Sequence, residues 1–140
     1  MRQKHDNDFN QGVIEEFRAN GGQLGGDLAG ATVILVHHIG ARTGAVRVVP
    51  LIGIPQDGGR VVVTASNGGS PTHPSWVHNL RAHPMVTVEL GRQTLTMQAE
   101  EWGPAARVDL WPTLLEGSPA LRDFDARTAR EIPVFVLTPV

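Results

Sequence analysis

Apolar residues along this chain fall into short runs separated by glycine- and proline-rich turns. Six runs have the length and β-branched content of strands: residues 31–39, 45–54, 60–65, 86–90, 93–101 and 132–140. Between the fourth and fifth runs stand Gly91 and Arg92, a two-residue turn with glycine first, as a tight hairpin requires. Pro50 interrupts the second run and cannot donate to a ladder, so we expect an edge or a bulge there.

Helical spacing marks the remaining segments. A helix at about residues 9–20 is expected to start at Asn7 or Asn10 and to stop at Gly21 and Gly22, with its apolar face formed by Phe9, Val13, Ile14 and Phe17. A short helix opens at Pro74 and ends at Pro84. Two late helices are predicted at residues 103–117 and 118–129, with inward-facing Leu110, Trp111, Leu114 and Leu115.

These elements predict a mainly β fold with flanking helices, of the α+β class, in a single domain spanning residues 1–140. Sequential strands of this length can close into a small barrel with helices packed outside it. Because no G-x-G-x-x-G motif follows a strand, the sequence disfavours a dinucleotide-binding Rossmann site.

Composition narrows the class of protein. The chain is 41% hydrophobic and 19% charged, with a net charge of −2, so no overall positive field favours nucleic acid. It has no cysteine, which is compatible with a reducing cytoplasm. The first ten residues lack the apolar stretch of a secretory signal, and no apolar run is long enough to span a bilayer. We expect a cytoplasmic protein, with peripheral attachment to the inner face of the membrane left open.

The turn within residues 39–50 is the first candidate binding site. Gly40 and Gly44 would let the backbone approach a ligand, and Arg42 and Arg47 could hold a phosphate or carboxylates. From this stretch alone, a solvated hairpin is the favoured interpretation.

The loop at residues 65–76 makes binding the better interpretation. It is rich in glycine and leads into a helix N-terminus, where free N–H groups attract anions. Trp76 offers a flat face for stacking on a ring, although a position in the core is the commoner fate of a lone tryptophan. Together, the turn and the loop suit a large ligand with a planar ring and an acidic tail.

Histidine spacing disfavours a metal site, and none is predicted. His73, His78 and His83 are five residues apart, which on a helix turns each by about 140° from the last. His37 and His38 are neighbours in a strand and should point to opposite faces. No paired nucleophile and base can be recognised either, so chemistry would belong to a bound cofactor.

Five segments in order carry a resemblance that covers nearly the whole chain, from about Phe9 to Pro139. They are "VIEEFRANGG", "GARTGAVRVVPL", "ASNGGSPTHPSWVHNL", "HPMVTVEL" and "REIPVFVLTP". With these segments the chain resembles the deazaflavin (coenzyme F-420)-dependent nitroreductase family. The resemblance implies a split β-barrel, similar to flavin reductases, in which the deazaflavin lies in a groove and its acidic tail reaches a basic rim.

The resemblance also implies where the cofactor would bind. The tail and phosphate would be held at Ala41, Arg42, Thr43, Arg47, Val48, Val49 and Pro50, with the two arginines as the charges. The ring and ribityl part would run along Thr64, Ala65, Ser66, Asn67 and Gly68. Ser75, Trp76, Val77, His78 and Asn79 would cover the ring, with Trp76 against it. Phe124 stands in the substrate pocket, where relatives active on nitroimidazoles carry tyrosines.

The implied function is hydride transfer from reduced coenzyme F-420 to an electron-poor small molecule such as a quinone, an enone or a nitro compound. No side chain is assigned as catalytic, because water can supply the proton. Ser66 and His78 are the nearest candidates, with a structural hydrogen-bonding role favoured for both. Two alternatives stay open: a flavin mononucleotide-dependent split-barrel reductase, and a non-catalytic carrier of deazaflavin or another anionic ligand. A homodimer is also left open.

Overall fold

The computed structural model describes residues 2–65, 73–117, 119–127 and 131–140. The elements of these residues are, in chain order, α1 (Arg2–Ala19), β1 (Val33–Ile39), β2 (Val46–Pro55), β3 (Val61–Thr64), α2 (Ser75–Ala82), β4 (Met85–Leu90), β5 (Gln93–Glu101), α3 (Pro104–Gly117), α4 (Pro119–Arg127) and β6 (Val134–Pro139). Short 3₁₀ turns lie at Gly26–Leu28 and Asp57–Gly59. No helix among the described residues is both long and apolar enough to cross a membrane.

The strands form a closed barrel in the order β1-β2-β3-β6-β5-β4, and every neighbouring pair is antiparallel. In the β4–β5 hairpin, Leu90 lies opposite Gln93, which leaves Gly91 and Arg92 as the turn. Gly91 has a φ of 59°, in the left-handed region that glycine tolerates best. The predicted strands, the two-residue turn and the barrel are therefore confirmed.

Alternation along the strands separates the interior of the barrel from its outer face. Ile34 and Val36 of β1 belong to the interior cluster, whereas Val33 and Leu35 pack against α1 on the outside. The interior cluster also contains Trp76, Val77 and Leu80 of α2, which places this helix across the barrel end that carries the β1–β2 turn. A third cluster joins α3 and α4 to the outer face of β3 and β6.

Two helix predictions are corrected. Helix α1 begins at Arg2 rather than near residue 9, because residues 2–8 contain no glycine or proline to stop it; Asn7 and Asn10 lie inside the helix and do not cap it. The apolar cluster beneath α1 starts at Val13, which leaves Phe9 65% exposed.

Helix α3 shows a similar difference. Leu114 is buried against the sheet, and Trp111 and Leu115 are partly buried beside it, as predicted. Leu110, however, is 45% exposed, because the contact of α3 with the sheet narrows to a stripe around Leu114.

Candidate functional site at the split in the barrel

The barrel is closed, but the pairing along one of its seams, between β2 and β3, is short. Strands β2 and β3 pair only through residues 53–55 and 61–63, whereas β1 pairs with β2 from residue 46 onwards. Within the described residues, positions 46–52 of β2 therefore have no strand on the side away from β1. We call the space between this free edge and residues Thr64 and Ala65 the split groove.

Hydrogen bonding in β2 shows which backbone groups face the split groove. The N–H of Gly53 donates to the carbonyl of Thr32, at 2.8 Å, so the backbone N–H and C=O groups of Gly53 point toward β1. In an antiparallel ladder the direction alternates with each residue, so the backbone groups of Val46, Val48, Pro50 and Ile52 point into the groove. Pro50 has no N–H to donate, but because its backbone faces the groove rather than β1, no hydrogen bond between β1 and β2 is lost there. The predicted edge position of Pro50 is confirmed.

Side chains of β2 alternate between the two faces of the barrel wall. Val49 and Leu51 pack against the interior cluster and form an apolar lining beside the groove. Val48 points outward to the cluster under α1. Arg47 shares the inward-facing set of Val49 and Leu51 but lies at the barrel mouth, where it is exposed.

The β1–β2 turn, residues 40–45, is held by internal hydrogen bonds. Gly40 N–H donates to the carbonyl of Ala45 at 2.8 Å, and Gly44 N–H donates to the carbonyl of Gly40 at 2.9 Å. Ala45 N–H donates to Thr43 Oγ1 at 3.2 Å. Gly44 has a φ of 71°, which a residue with a side chain would adopt only with strain.

The turn keeps few free donors. Ala41 N–H donates to Asn79 Oδ1 of α2 at 2.9 Å. Within the described part of the chain, only the N–H groups of Arg42 and Thr43 in this turn have no acceptor. Of the backbone amides that this turn could offer to an anion, these two therefore remain.

Arg42 and Arg47 form no salt bridge with a described acidic residue, and the same holds for Arg60 and Arg92; the pair is distinguished by its place, since both residues lie at the β1–β2 end of the groove. Arg18 pairs with Glu89, Arg81 pairs with Glu101, and Arg107 pairs with Glu131. Two exposed, uncompensated guanidiniums at the mouth of one groove form a local positive site, although the whole chain is slightly acidic.

Helix α2 is tied to the turn by a buried polar chain. Asn79 accepts from Ala41 N–H through Oδ1, so its Nδ2 is the donor to His38 Nδ1, at 2.8 Å. Burial lowers the pKa of His38 to about 4, helped by the charge of Arg47 and by His37. His38 is therefore neutral near pH 7.

His38 faces inward, whereas His37 points to the outside and bonds Glu89 Oε2 at 2.7 Å, which confirms the prediction that the two point to opposite faces. From its sequence position His38 was a candidate only as a metal ligand, and it was not among the predicted site residues. A histidine that ends a run of buried apolar strand residues is the signal that could have drawn attention to it.

The expectation of an open ring face at Trp76 is wrong. Its side chain is only 4% exposed and packs against Phe135, with ring centroids 5.7 Å apart and planes tilted by 59°. Val77 is also buried in the interior cluster, since the apolar face of α2 turns into the barrel. Ser75 and His78 are the exposed residues in the predicted covering segment.

The other side of the groove is only partly described. Thr64 is half-buried, and Ala65 is buried with its N–H donating to the carbonyl of Pro133 at 2.9 Å. The predicted residues Ser66, Asn67 and Gly68 lie outside the described residues. Phe124 lies in α4, but its side chain is outside the described set.

A cavity of about 270 Å³ lies elsewhere in the fold, lined by residues from α2, β5, α3 and the start of β6. Its charged lining is already paired, Arg81 with Glu101 and Arg107 with Glu131. It therefore offers less to an anion than the uncompensated arginines at the groove. No three histidine or acidic residues in the described ranges lie close enough together to hold a metal ion.

The amino-acid sequence matches a known protein family over most of its length. The model of a family described as F420H(2)-dependent quinone reductase matches residues 11–139. An F420H(2)-dependent quinone reductase of Mycobacterium tuberculosis (strain ATCC 25618 / H37Rv) is 33% identical over 126 residues, which cover 87% of this chain and 84% of that protein.

Two solved structures are similar in sequence and shape. A structure of an F420-H2 dependent reductase is 34% identical with a TM-score of 0.66 and covers 76% of this chain and 93% of that one. A protein described as a domain-swapped dimer is 32% identical with a TM-score of 0.68, covering 89% of this chain and 93% of that one. The resemblance to proteins that depend on the deazaflavin coenzyme F-420 is confirmed, but the family that matches is described by quinone reduction rather than by nitro reduction. The chain belongs to the F420H(2)-dependent quinone reductase family.

Proposed function

We propose that this protein is an oxidoreductase that uses reduced coenzyme F-420 to reduce quinones. The observation that carries the proposal is the pair Arg42 and Arg47, which lack acidic partners among the described residues and flank a groove with a free strand edge. Family membership and the named activity of the relatives support the same conclusion.

The residues at the split groove fit the chemistry of this cofactor. It joins a planar deazaflavin ring to a phosphate and a glutamate tail, so it needs an apolar surface next to a positive one. Val49 and Leu51 provide the apolar surface, and Arg42 and Arg47 provide the charge. The backbone of Val48 points away from β1, where no described strand pairs with it, so its N–H can donate to polar atoms of the ligand.

When bound, the reduced cofactor supplies a hydride to the acceptor. The protein's own part is to hold the acidic tail at the mouth, to align the ring along β2 and to exclude water from the apolar lining. Asn79 holds the backbone N–H of Ala41, the residue before Arg42. No described side chain has to act as an acid, because water can supply the proton; His78 is an exposed candidate near the groove.

A small-molecule quinone is the proposed acceptor, and nitro compounds and enones are weaker candidates. The cysteine-free sequence favours the cytoplasm, with peripheral contact at the inner membrane face as an extension of the proposal. The relative described as a domain-swapped dimer supports a homodimer for this chain.

Cofactor choice tests the proposal against its alternatives. Quenching of tryptophan fluorescence is measured with coenzyme F-420, flavin mononucleotide and NADPH at matched concentrations. We expect coenzyme F-420 to bind most tightly, because its tail carries more negative charge for Arg42 and Arg47. Tighter binding of flavin mononucleotide would overturn the assignment.

Turnover separates an enzyme from a carrier. Reduced coenzyme F-420 and menadione are mixed with catalytic amounts of protein, and we expect rapid reoxidation, with weak or undetectable activity toward a bicyclic nitroimidazole. Tight binding without turnover on any quinone, enone or nitro compound would identify a carrier instead.

A further inference from the structure

Two polar side chains are buried among the described residues, and they are bonded to each other. His38 is 4% exposed and Asn79 is 8% exposed. His38 is the next-to-last residue of β1, Asn79 lies in the middle of α2, and Asn79 Nδ2 lies 2.8 Å from His38 Nδ1. Burying a polar pair is costly unless its hydrogen bonds are made, so this position calls for a reason beyond packing.

The chain of bonds has a fixed direction. Ala41 N–H can only donate, so the Asn79 atom that faces it is the amide oxygen. The amide nitrogen then donates to His38 Nδ1, which must carry no proton, and the ring proton sits on Nε2. Each partner thus fixes the orientation of the next, from β1 through α2 to the turn.

The hydrogen-bond chain from His38 through Asn79 ends at Ala41, the residue before Arg42. Ala41 is the position at which α2 grips the β1–β2 turn, and Gly40 and Gly44 give that turn the freedom to move if it is released. His38 also stands directly opposite Arg47 in the β1–β2 register. The buried pair is therefore bonded to the residue before Arg42 and lies opposite Arg47 in the strand register.

We propose that His38 and Asn79 are positioning residues that hold the β1–β2 turn in the conformation that presents Arg42 and Arg47 to the acidic tail of the cofactor. This inference rests on the proposed function and assigns a role to His38. Neither side chain needs to touch the cofactor. Their role is to lower the freedom of the turn before the ligand arrives.

The test uses two substitutions of His38 that separate hydrogen bonding from packing. His38→Asn places an amide oxygen where Nδ1 stands, so the bond from Asn79 can be kept, but the smaller side chain leaves a void. His38→Leu fills more of the space and has no acceptor. Thermal unfolding of both variants is measured beside their dissociation constants for intact coenzyme F-420 and for an analogue without phosphate and glutamates.

We expect His38→Leu to weaken binding of the intact cofactor by about tenfold, the equivalent of one net hydrogen bond, with His38→Asn close to wild type. The trimmed analogue should bind all three proteins about equally, because it has no tail for the arginines. A general loss of packing would instead weaken both ligands and follow the order of the melting temperatures.

Asn79→Leu supplies a second route to the same result. It removes both bonds, and the double variant with His38→Leu should bind no worse than Asn79→Leu alone, because both changes release one turn. If wild type binds coenzyme F-420 while His38→Leu and Asn79→Leu bind it as wild type does, the positioning role is refuted and the proposed function stands. If wild type itself does not bind coenzyme F-420, the proposed function fails, and this inference with it.

Discussion

Replacing Arg47 by alanine isolates the charge that the split groove presents to its ligand. Arg47 is exposed, and the described acidic residues form no salt bridge with it, so the substitution breaks no described ion pair and should change folding stability little. A charge-assisted contact contributes roughly 1.5–3 kcal/mol, which corresponds to about a 10- to 100-fold rise in the dissociation constant for coenzyme F-420.

The assay is a fluorescence titration of wild type and Arg47→Ala with intact cofactor and with the trimmed analogue. The loss should be smaller for the trimmed analogue, and added salt should weaken wild-type binding more than variant binding. Arg92→Ala is the matched control, because Arg92 is an exposed arginine in the β4–β5 turn at the opposite end of the barrel. Its affinity should equal that of wild type.

Arg47→Lys adds a finer comparison, since it keeps the charge and loses the bidentate fork. We expect an affinity between those of wild type and Arg47→Ala. If the double replacement of Arg42 and Arg47 by alanine binds the intact cofactor as well as wild type does, the tail is held elsewhere and the arginines only make the turn soluble.

Two further predictions concern stability. A hydrogen bond from Arg18, with a second from His37, lowers the pKa of Glu89 to about 2. Because the folded pKa lies below the unfolded value, this stabilisation is present above about pH 4.5 and is lost as the pH falls toward about 2. Urea unfolding at neutral pH should show wild type about 1 kcal/mol more stable than Glu89→Gln; the figure is modest because Arg18 is half-exposed. If wild type and Glu89→Gln have equal unfolding curves at neutral pH as well as near pH 2, the Arg18–Glu89–His37 network is contradicted. Gly53→Ala should cost about 1–3 kcal/mol by the same measurement, because its methyl group would lie 2.5 Å from Val61 Cγ1, whereas Gly103→Ala, with open space around it, should change little.

The strands could be predicted from the sequence because each is an apolar run bounded by turn residues, and such local patterns need no knowledge of the fold. The exposed arginines and the edge position of Pro50 were predictable for the same reason, as each follows from one residue's own chemistry. The extent of α1 was not, because the helix continues through a polar segment that contains nothing to stop it.

Features that depend on contacts between distant segments could not be predicted from the sequence. The split results from β2 and β3 pairing over three residues on each strand, and no local pattern records that register. The link from His38 to Asn79 joins residues 41 positions apart, so the role of His38 could not be assigned. The burial of Trp76 likewise depends on where α2 meets Phe135 of the last strand.

The short seam between β2 and β3 also bears on association between molecules. Although the six strands close into a barrel, residues 46–52 have no described strand on the side away from β1, and Val46 is 63% exposed and Ile52 56% exposed along this edge. A bare edge of this kind is a template for pairing with another chain, and proteins commonly block such templates with a charged side chain and a proline. Arg47 and Pro50 supply both within four residues. The segment proposed to receive an acidic ligand is thus also built to resist intermolecular strand addition when that ligand is absent.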